Sequence, residues 1–169
     1  FEVTGGGYAP VGEIRSEGRP VSMENESGLR RLLHVIVLCN GAELRQEDQQ
    51  WMIIGDPTEG ALLVAAAKVG LWKRELERAA PFLGEVPFDP ERKKMTIVRE
   101  TPSGPTAFVK GAPDVLLRDC SNRVSRDGSA AVLTDQERKE ILGANQRLAG
   151  QDRRDPGAGL GDAPDDHPL

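Results

Sequence analysis

At Pro81 the spacing of apolar residues changes, and no other feature of the chain constrains its fold as strongly. Before that point apolar side chains recur at helical intervals. After it, Leu83–Phe88, Met95–Arg99 and Thr106–Lys110 read as strands, with Pro102-Ser103-Gly104 as the turn between the last two.

The helical part begins at Ser27, a plausible N-cap, where Leu29, Leu32, Leu33, Ile36 and Val37 form a stripe and Arg30 and Arg31 face away. Asn40-Gly41 ends that helix. His34 lies beside the stripe and reads as a partly buried structural histidine. Trp51–Ile54 is a short strand closed by Gly55. Helical patterns follow from about Thr58 to Leu71 and from Lys73 to Ala80. Beyond the strands, Pro113–Leu117 is a short helix with proline in its first turn, and Asp127-Gly128 marks a hairpin. A last helix starts at a Thr134/Glu137 capping box and runs to about Ala149. Residues 1–26 read as extended or looped. Residues 151–169 hold glycines, prolines and aspartates with few apolar groups, the composition of a disordered tail.

Composition narrows the function. The net charge is −5, which disfavours non-specific binding to nucleic acid or anionic lipid, so a phosphate ligand would need a local basic cluster. Cys39 and Cys120 have no metal-ligand spacing and read as reduced, buried thiols; with 2 histidines in the chain, a zinc site is not expected. No apolar run is long enough to span a bilayer, so no direct membrane insertion is expected of this segment.

Three short segments carry the chemistry. In Gly55-Asp56-Pro57-Thr58-Glu59-Gly60-Ala61-Leu62-Leu63 a strand meets a helix, and a cap at Asp56, Pro57 and Glu59 explains the segment as structure alone. In Phe88-Asp89-Pro90-Glu91-Arg92-Lys93-Lys94-Met95-Thr96 an aromatic ring precedes consecutive cations. That order suits a base and its phosphates, although taken singly the segment reads first as a core phenylalanine beside a solvated basic turn. In Phe108-Val109-Lys110-Gly111-Ala112-Pro113 a strand-end lysine and a glycine open onto a helix, an arrangement fit for an anion or for a plain turn. Gly5-Gly6-Gly7 lacks the spacing of a phosphate loop. His167-Pro168 lies in the tail, away from any helix.

In this order the three segments resemble the nucleotide-binding domain of cation-transporting P-type ATPases, in the calcium and sodium/potassium (type II) branch. That branch carries GDPTE-x-ALL, F-D-x-x-R-K-x-M-[ST] and [FV]-x-KGA-P segments. The resemblance spans roughly residues 28–149, and Phe1–Tyr8 is similar to the linker leaving the phosphorylation domain in these pumps. The resemblance implies that Glu59 accepts a hydrogen bond from the adenine amino group and that Phe88 stacks on its ring. It implies that Lys110, followed by Gly111, lines the deep pocket, that Lys93 supplies charge toward the phosphates and that Met95 lines the cavity. Arg92 is left to solvent or to a carboxylate. The expected fold is α+β: a twisted, mainly antiparallel β-sheet flanked by helices, with the pocket at one edge.

The organisation expected is residues 1–26 as linker and first strand, 27–150 as the nucleotide-binding domain and 151–169 as the tail. The implied ligand is ATP, as Mg-ATP in the parent pump, and the implied partners are the phosphorylation and actuator domains on the cytoplasmic side of the membrane. The DKTGT segment that receives the phosphoryl group is not in this chain, so binding without completed catalysis is expected. After Gly150 the family's LR-x-L-x-x-A strand is replaced by Gln151-Asp152-Arg153-Arg154-Asp155-Pro156, which removes a phosphate contact. A non-catalytic interaction module with impaired nucleotide binding is therefore the competing expectation. A standalone hydrolase is excluded for want of a nucleophile and metal carboxylates.

Overall fold

The structure, a computed structural model, describes residues 1–152; the expectation for the tail falls, from residue 153 on, outside them. The chain divides into two compact units, the first spanning Phe1–Val132 and the second starting at Leu133.

The first unit opens with a small antiparallel sheet of β1 (Glu2–Val3), β2 (Ile14–Ser16) and β3 (Arg19–Pro20). This segment contributes to the core, because Ile14 is buried with Leu29, Leu33, Val37, Ala42, Leu63 and Ala66. Its geometry demands glycine where chains touch: a Cβ on Gly12 would lie 2.4 Å from the Thr4 carbonyl oxygen.

Helix α1 (Ser27–Leu38) buries Leu29, Leu33, Val37 and Leu38. The residue at its N-cap is Glu26 rather than Ser27, and Glu26 makes no side-chain cap. Its carboxylate is taken by Arg126, and the Arg126 carbonyl accepts from the Gly28 N–H at 3.0 Å, satisfying one of the helix's first donors. Leu32 is not in the buried stripe; it is 55% exposed and lines a surface hollow with Phe1, Val35 and Val124. His34 is half-buried as expected, and its Nε2 has no hydrogen-bond partner among the described residues. Cys39 is buried, but Cys120 is exposed, against the expectation for both thiols.

A hairpin follows, β4 (Glu43–Glu47) with β5 (Gln50–Ile54), turning through Asp48 and Gln49 at φ 47° and 66°. Positive φ at both central residues is the turn whose twist matches paired strands. Then come α2 (Pro57–Ala67) and α3 (Lys73–Ala79). Asp56 caps α2, accepting from the Glu59 N–H at 2.9 Å. Trp51 and Trp72 stack with ring centroids 5.8 Å apart.

The strands anticipated after Pro81 form one antiparallel meander: β6 (Phe82–Asp89), β7 (Lys94–Thr101) and β8 (Gly104–Gly111). On its inner face Met95, Ile97 and Phe108 pack with Cys39 into a second cluster. Arg99 on the same strand is only 3% exposed. It donates to the Leu38 carbonyl at 2.9 Å and the Ala80 carbonyl at 3.2 Å, and pairs with Glu77 at 2.7 Å. One buried guanidinium thus closes the ends of α1 and α3, where helix carbonyls lack partners.

Helix α4 (Pro113–Asp119) and the hairpin of β9 (Asn122–Val124) and β10 (Ala130–Val132) complete the unit. In the second unit, α5 (Asp135–Asp152) starts at the expected capping box. Glu137 N–H reaches Thr134 Oγ1 at 3.3 Å, and Thr134 N–H reaches the Glu137 carboxylate at 2.9 Å. The fold is α+β and all strand pairings among the described residues are antiparallel, with the strands spread over four small sheets. Among the described residues, no helix is long and apolar enough to cross a membrane.

Candidate functional site

Glu59 sits in the first turn of α2, where the cap at Asp56 fixes its backbone. Its side chain does not turn back to complete a capping box. Oε1 pairs with Lys110 Nζ at 2.5 Å, while Oε2 accepts from the Gly41 N–H at 2.6 Å and the Ala42 N–H at 3.2 Å. Burial pushes the Glu59 carboxyl up, but the hydrogen bond from Lys110 and the Gly41 and Ala42 N–H groups outweigh it and hold the group below its ordinary value. Glu59 is therefore an anion with one oxygen occupied by backbone and the other shared with a lysine.

Lys110 comes from β8, opposite Met95 on β7. Met95 is 9% exposed and packs against Cys39 and Ile97, so it floors this region. Burial raises the pKa of the Cys39 thiol even with Lys110 nearby, which keeps it a neutral packing group. Gly111 ends β8 where two backbones nearly touch; a Cβ there would lie 2.4 Å from the Lys93 carbonyl oxygen and 2.6 Å from Lys94 Cβ. That close approach accounts for glycine after Lys110.

Phe88 lies in a β-bulge. Val86 pairs with Thr96 and Asp89 with Lys94, so Pro87 and Phe88 together span the interval that Met95 alone spans on β7. The ring is 60% exposed, which answers the alternative of a core phenylalanine. Asp89 builds the turn that follows: its Oδ1 accepts from the Glu91 and Arg92 N–H groups at 2.9 and 2.8 Å.

The run of cations after Phe88 is divided among separate tasks. Arg92 donates to the Pro87 and Lys94 carbonyls at 2.9 and 3.3 Å, so it clamps the turn, and it pairs with no carboxylate among the described residues. Lys94 pairs with Asp119 at 2.5 Å. Lys93, at φ 51°, is exposed. Thus α2, β7 and β8 bring Glu59, Met95, Lys110 and Gly111 together, while Phe88 lies in the β6 bulge opposite the Met95 step of β7 and Lys93 in the turn that joins those strands.

Sequence reasoning missed Asn40, Gly41, Ala42 and Lys73. Asn40 is 1% exposed; its Oδ1 accepts from the Ala42 N–H at 2.9 Å and its Nδ2 donates to the Glu59 carbonyl at 2.9 Å. An asparagine directly after an apolar helix was the available signal, but it also reads as a helix stop. A surface hollow of about 550 Å³, with an apolar lining of Phe1, Leu29, Leu32 and Val35, shares no residue with this constellation. Lacking the convergent polar groups around Glu59, it is the weaker candidate despite its volume.

Fold and site together define an α+β domain that sets a buried-side carboxylate–lysine pair beside an exposed aromatic ring. Residues 28–158 match the family described as P-type ATPase, cytoplasmic domain N, and the chain belongs to that family. It is similar to the calcium-transporting ATPase of Bacillus subtilis, 36% identical over 152 residues, covering 89% of this chain and 17% of that protein. A cation-transporting ATPase of Synechocystis is 34% identical, with 83% of this chain and 16% of that protein covered. Calcium-transporting ATPase 1 of Lactococcus lactis is 39% identical over 118 residues, which is 70% of this chain and 13% of that protein. The chain thus spans less than a fifth of the length of these curated relatives.

Proposed function

We propose that this chain is the ATP-binding domain of a cation-transporting P-type ATPase. The observation that carries the reading is the Glu59–Lys110 pair, its carboxylate side chain 20% exposed, in the same region as the exposed Phe88. An ionised carboxylate only accepts hydrogen bonds, so it suits the exocyclic amino group of adenine. Phe88 offers a face on which the base stacks, and Met95 closes the floor. Lys110 and Lys93 supply positive charge to the rest of the nucleotide, Lys93 toward the phosphates. Gly111 keeps the strand end close to the turn.

In this reading residues 27–150 form the binding domain and residues 1–26 the link and first strand. Base and sugar are held here while the γ-phosphate is presented to an aspartate in a phosphorylation domain, with an actuator domain as the other partner, on the cytoplasmic side of the membrane. Mg²⁺ would arrive with the phosphates. The chain binds and orients ATP; phosphoryl transfer depends on closure against the neighbouring domain.

Titration of the chain with ATP, followed by amide NMR shifts, tests this. Shifts should concentrate at Glu59, Phe88 and Lys110. A spectrum unmoved at those positions overturns the reading and favours an interaction module that has lost nucleotide binding.

A further inference from the structure

Lys73, the first residue of α3, lies apart from the nucleotide segments in sequence, yet it grips the turn on which Glu59 depends. Its ammonium group donates to the Asn40 carbonyl at 2.7 Å and the Ala42 carbonyl at 2.8 Å, with the side chain 17% exposed. In a trans peptide the C=O and the N–H point in opposite directions. Holding the Asn40 carbonyl toward Lys73 therefore aims the N–H of the same peptide, that of Gly41, the other way. There it meets Glu59 Oε2 at 2.6 Å. The Asn40 side chain holds the next N–H, that of Ala42, and the Glu59 carbonyl, so the turn does not tilt independently.

We infer that Lys73 is a positioning residue for the Glu59 carboxylate: by holding the Asn40–Gly41 peptide it anchors Oε2 on the Gly41 N–H and leaves Oε1 directed at the ligand. The inference rests on the reading of Glu59 as the acceptor for adenine. An unanchored carboxylate is free to rotate and present either oxygen, whereas the anchored one keeps Oε1 against Lys110, with lone-pair capacity for one more donor. Lys73 thereby acts on the ligand through a backbone peptide rather than by contact. The charged and titratable groups that interact with the Glu59 carboxylate are Lys110 from β8, Lys73 from α3 and the Cys39 thiol, while Asp56 at the start of α2 accepts from the Glu59 N–H. Those facing Lys73 are Glu77, Arg99, Glu43 and Glu59.

Lys73→Met keeps the aliphatic stem and removes the ammonium. ATP affinity of the chain should fall roughly tenfold, the loss of about one charge-assisted hydrogen bond. The acid limb of the binding-versus-pH profile should move to higher pH, because Glu59 loses a well-aimed donor, and the Gly41 amide proton should shift upfield. Lys73→Arg should restore most of the affinity and the original acid limb. Unchanged affinity and an unmoved acid limb in Lys73→Met would overturn the inference. Should Lys73→Met not fold, the unsubstituted chain decides. The Gly41 amide, the Glu59 carboxyl carbon and the Lys73 ammonium nitrogen are then followed through an acid titration: a shared midpoint supports the coupling and separate midpoints refute it. Failure of the functional reading shows differently, as absence of ATP binding by the unsubstituted chain with that shared midpoint intact.

Discussion

Glu59 is partly buried and already bonded to Lys110, Gly41 and Ala42, whereas Phe88 presents 60% of its surface to solvent from a bulge in β6. The first end of the site is wired into the fold. Its hydrogen bonds tie α2 to the turn after α1 and to β8, so the geometry a ligand needs is the geometry the domain needs to stay folded. The second end is exposed: Phe88 and its neighbour Val86, 47% exposed, place apolar surface in water. Such surface adds nothing to folding and becomes favourable only when a partner covers it. A preorganised polar end limits the ordering cost of binding, and an uncovered aromatic end reserves its contribution for the bound state. Substitutions should therefore separate the two ends by which quantity they move.

The largest effect is expected from Glu59→Ala, which should move both. ATP affinity should fall by about ten- to a hundredfold with loss of the charged acceptor. Stability in urea should drop by about 1–2 kcal/mol, because Lys110 loses its partner and Gly41 its acceptor. The loss stays moderate since Ala42 keeps Asn40 Oδ1 and Gly41 is exposed to water. Unaltered urea unfolding would show that the wired end is not part of the stabilising framework.

Phe88→Ala should instead move affinity alone. Stacking of a base on an aromatic side chain contributes about 1–3 kcal/mol, so calorimetric titration should show ATP binding weakened roughly tenfold. The unfolding midpoint should stay within about 0.5 kcal/mol of the parent, as for an exposed side chain with no packing role. A clearly destabilised Phe88→Ala would mean that the bulge is a packing element and that the comparison with Glu59 fails.

The same contrast explains what the sequence made legible. The β6–β7–β8 meander stood out because Met95 and Ile97 alternate on one face of β7 and the turn residues are Pro102 and Gly104. β4 did not, because Glu43-Leu44-Arg45-Gln46-Glu47 has a single apolar residue and pairs at the surface, held by backbone bonds to β5. Leu32 looked like core by spacing, since helical periodicity cannot tell a stripe facing the interior from one facing a surface hollow. At the site, Glu59, Phe88 and Lys110 were visible through the family resemblance of their three ordered segments, since each segment alone also had a plain structural explanation. The roles of Asn40, Lys73 and Arg99 were not, because each acts on backbone carbonyls or N–H groups brought close only by tertiary packing. Arg92, read as solvent-facing or paired with a carboxylate, bonds Pro87 and Lys94 carbonyls for the same reason.

The smallest expected effect is a pH dependence that belongs to the wired end only. In the folded chain the Glu59 carboxyl lies below its ordinary value of 4.5, because donors from Lys110, Gly41 and Ala42 outweigh the upward push of burial. Between the folded and unfolded values the unfolded chain binds more protons, so stability rises with pH in that window. The contribution of Glu59 is complete above the unfolded value and is lost as pH falls through the lower folded one. Urea unfolding measured from neutral pH down through this range should accordingly show a shallower acid decline in Glu59→Gln than in the parent. Phe88→Ala should retain the parent's slope, having no titratable group to remove. Glu26, held below its ordinary value by its hydrogen bond to Arg126, supplies a separate acid-sensitive contribution that all of these chains share, so it cancels in the comparison. Equal slopes in the parent and Glu59→Gln would mean that the Lys110 and backbone donors are too well solvated to hold the carboxylate, and that the polar end of the site is as open as the aromatic one.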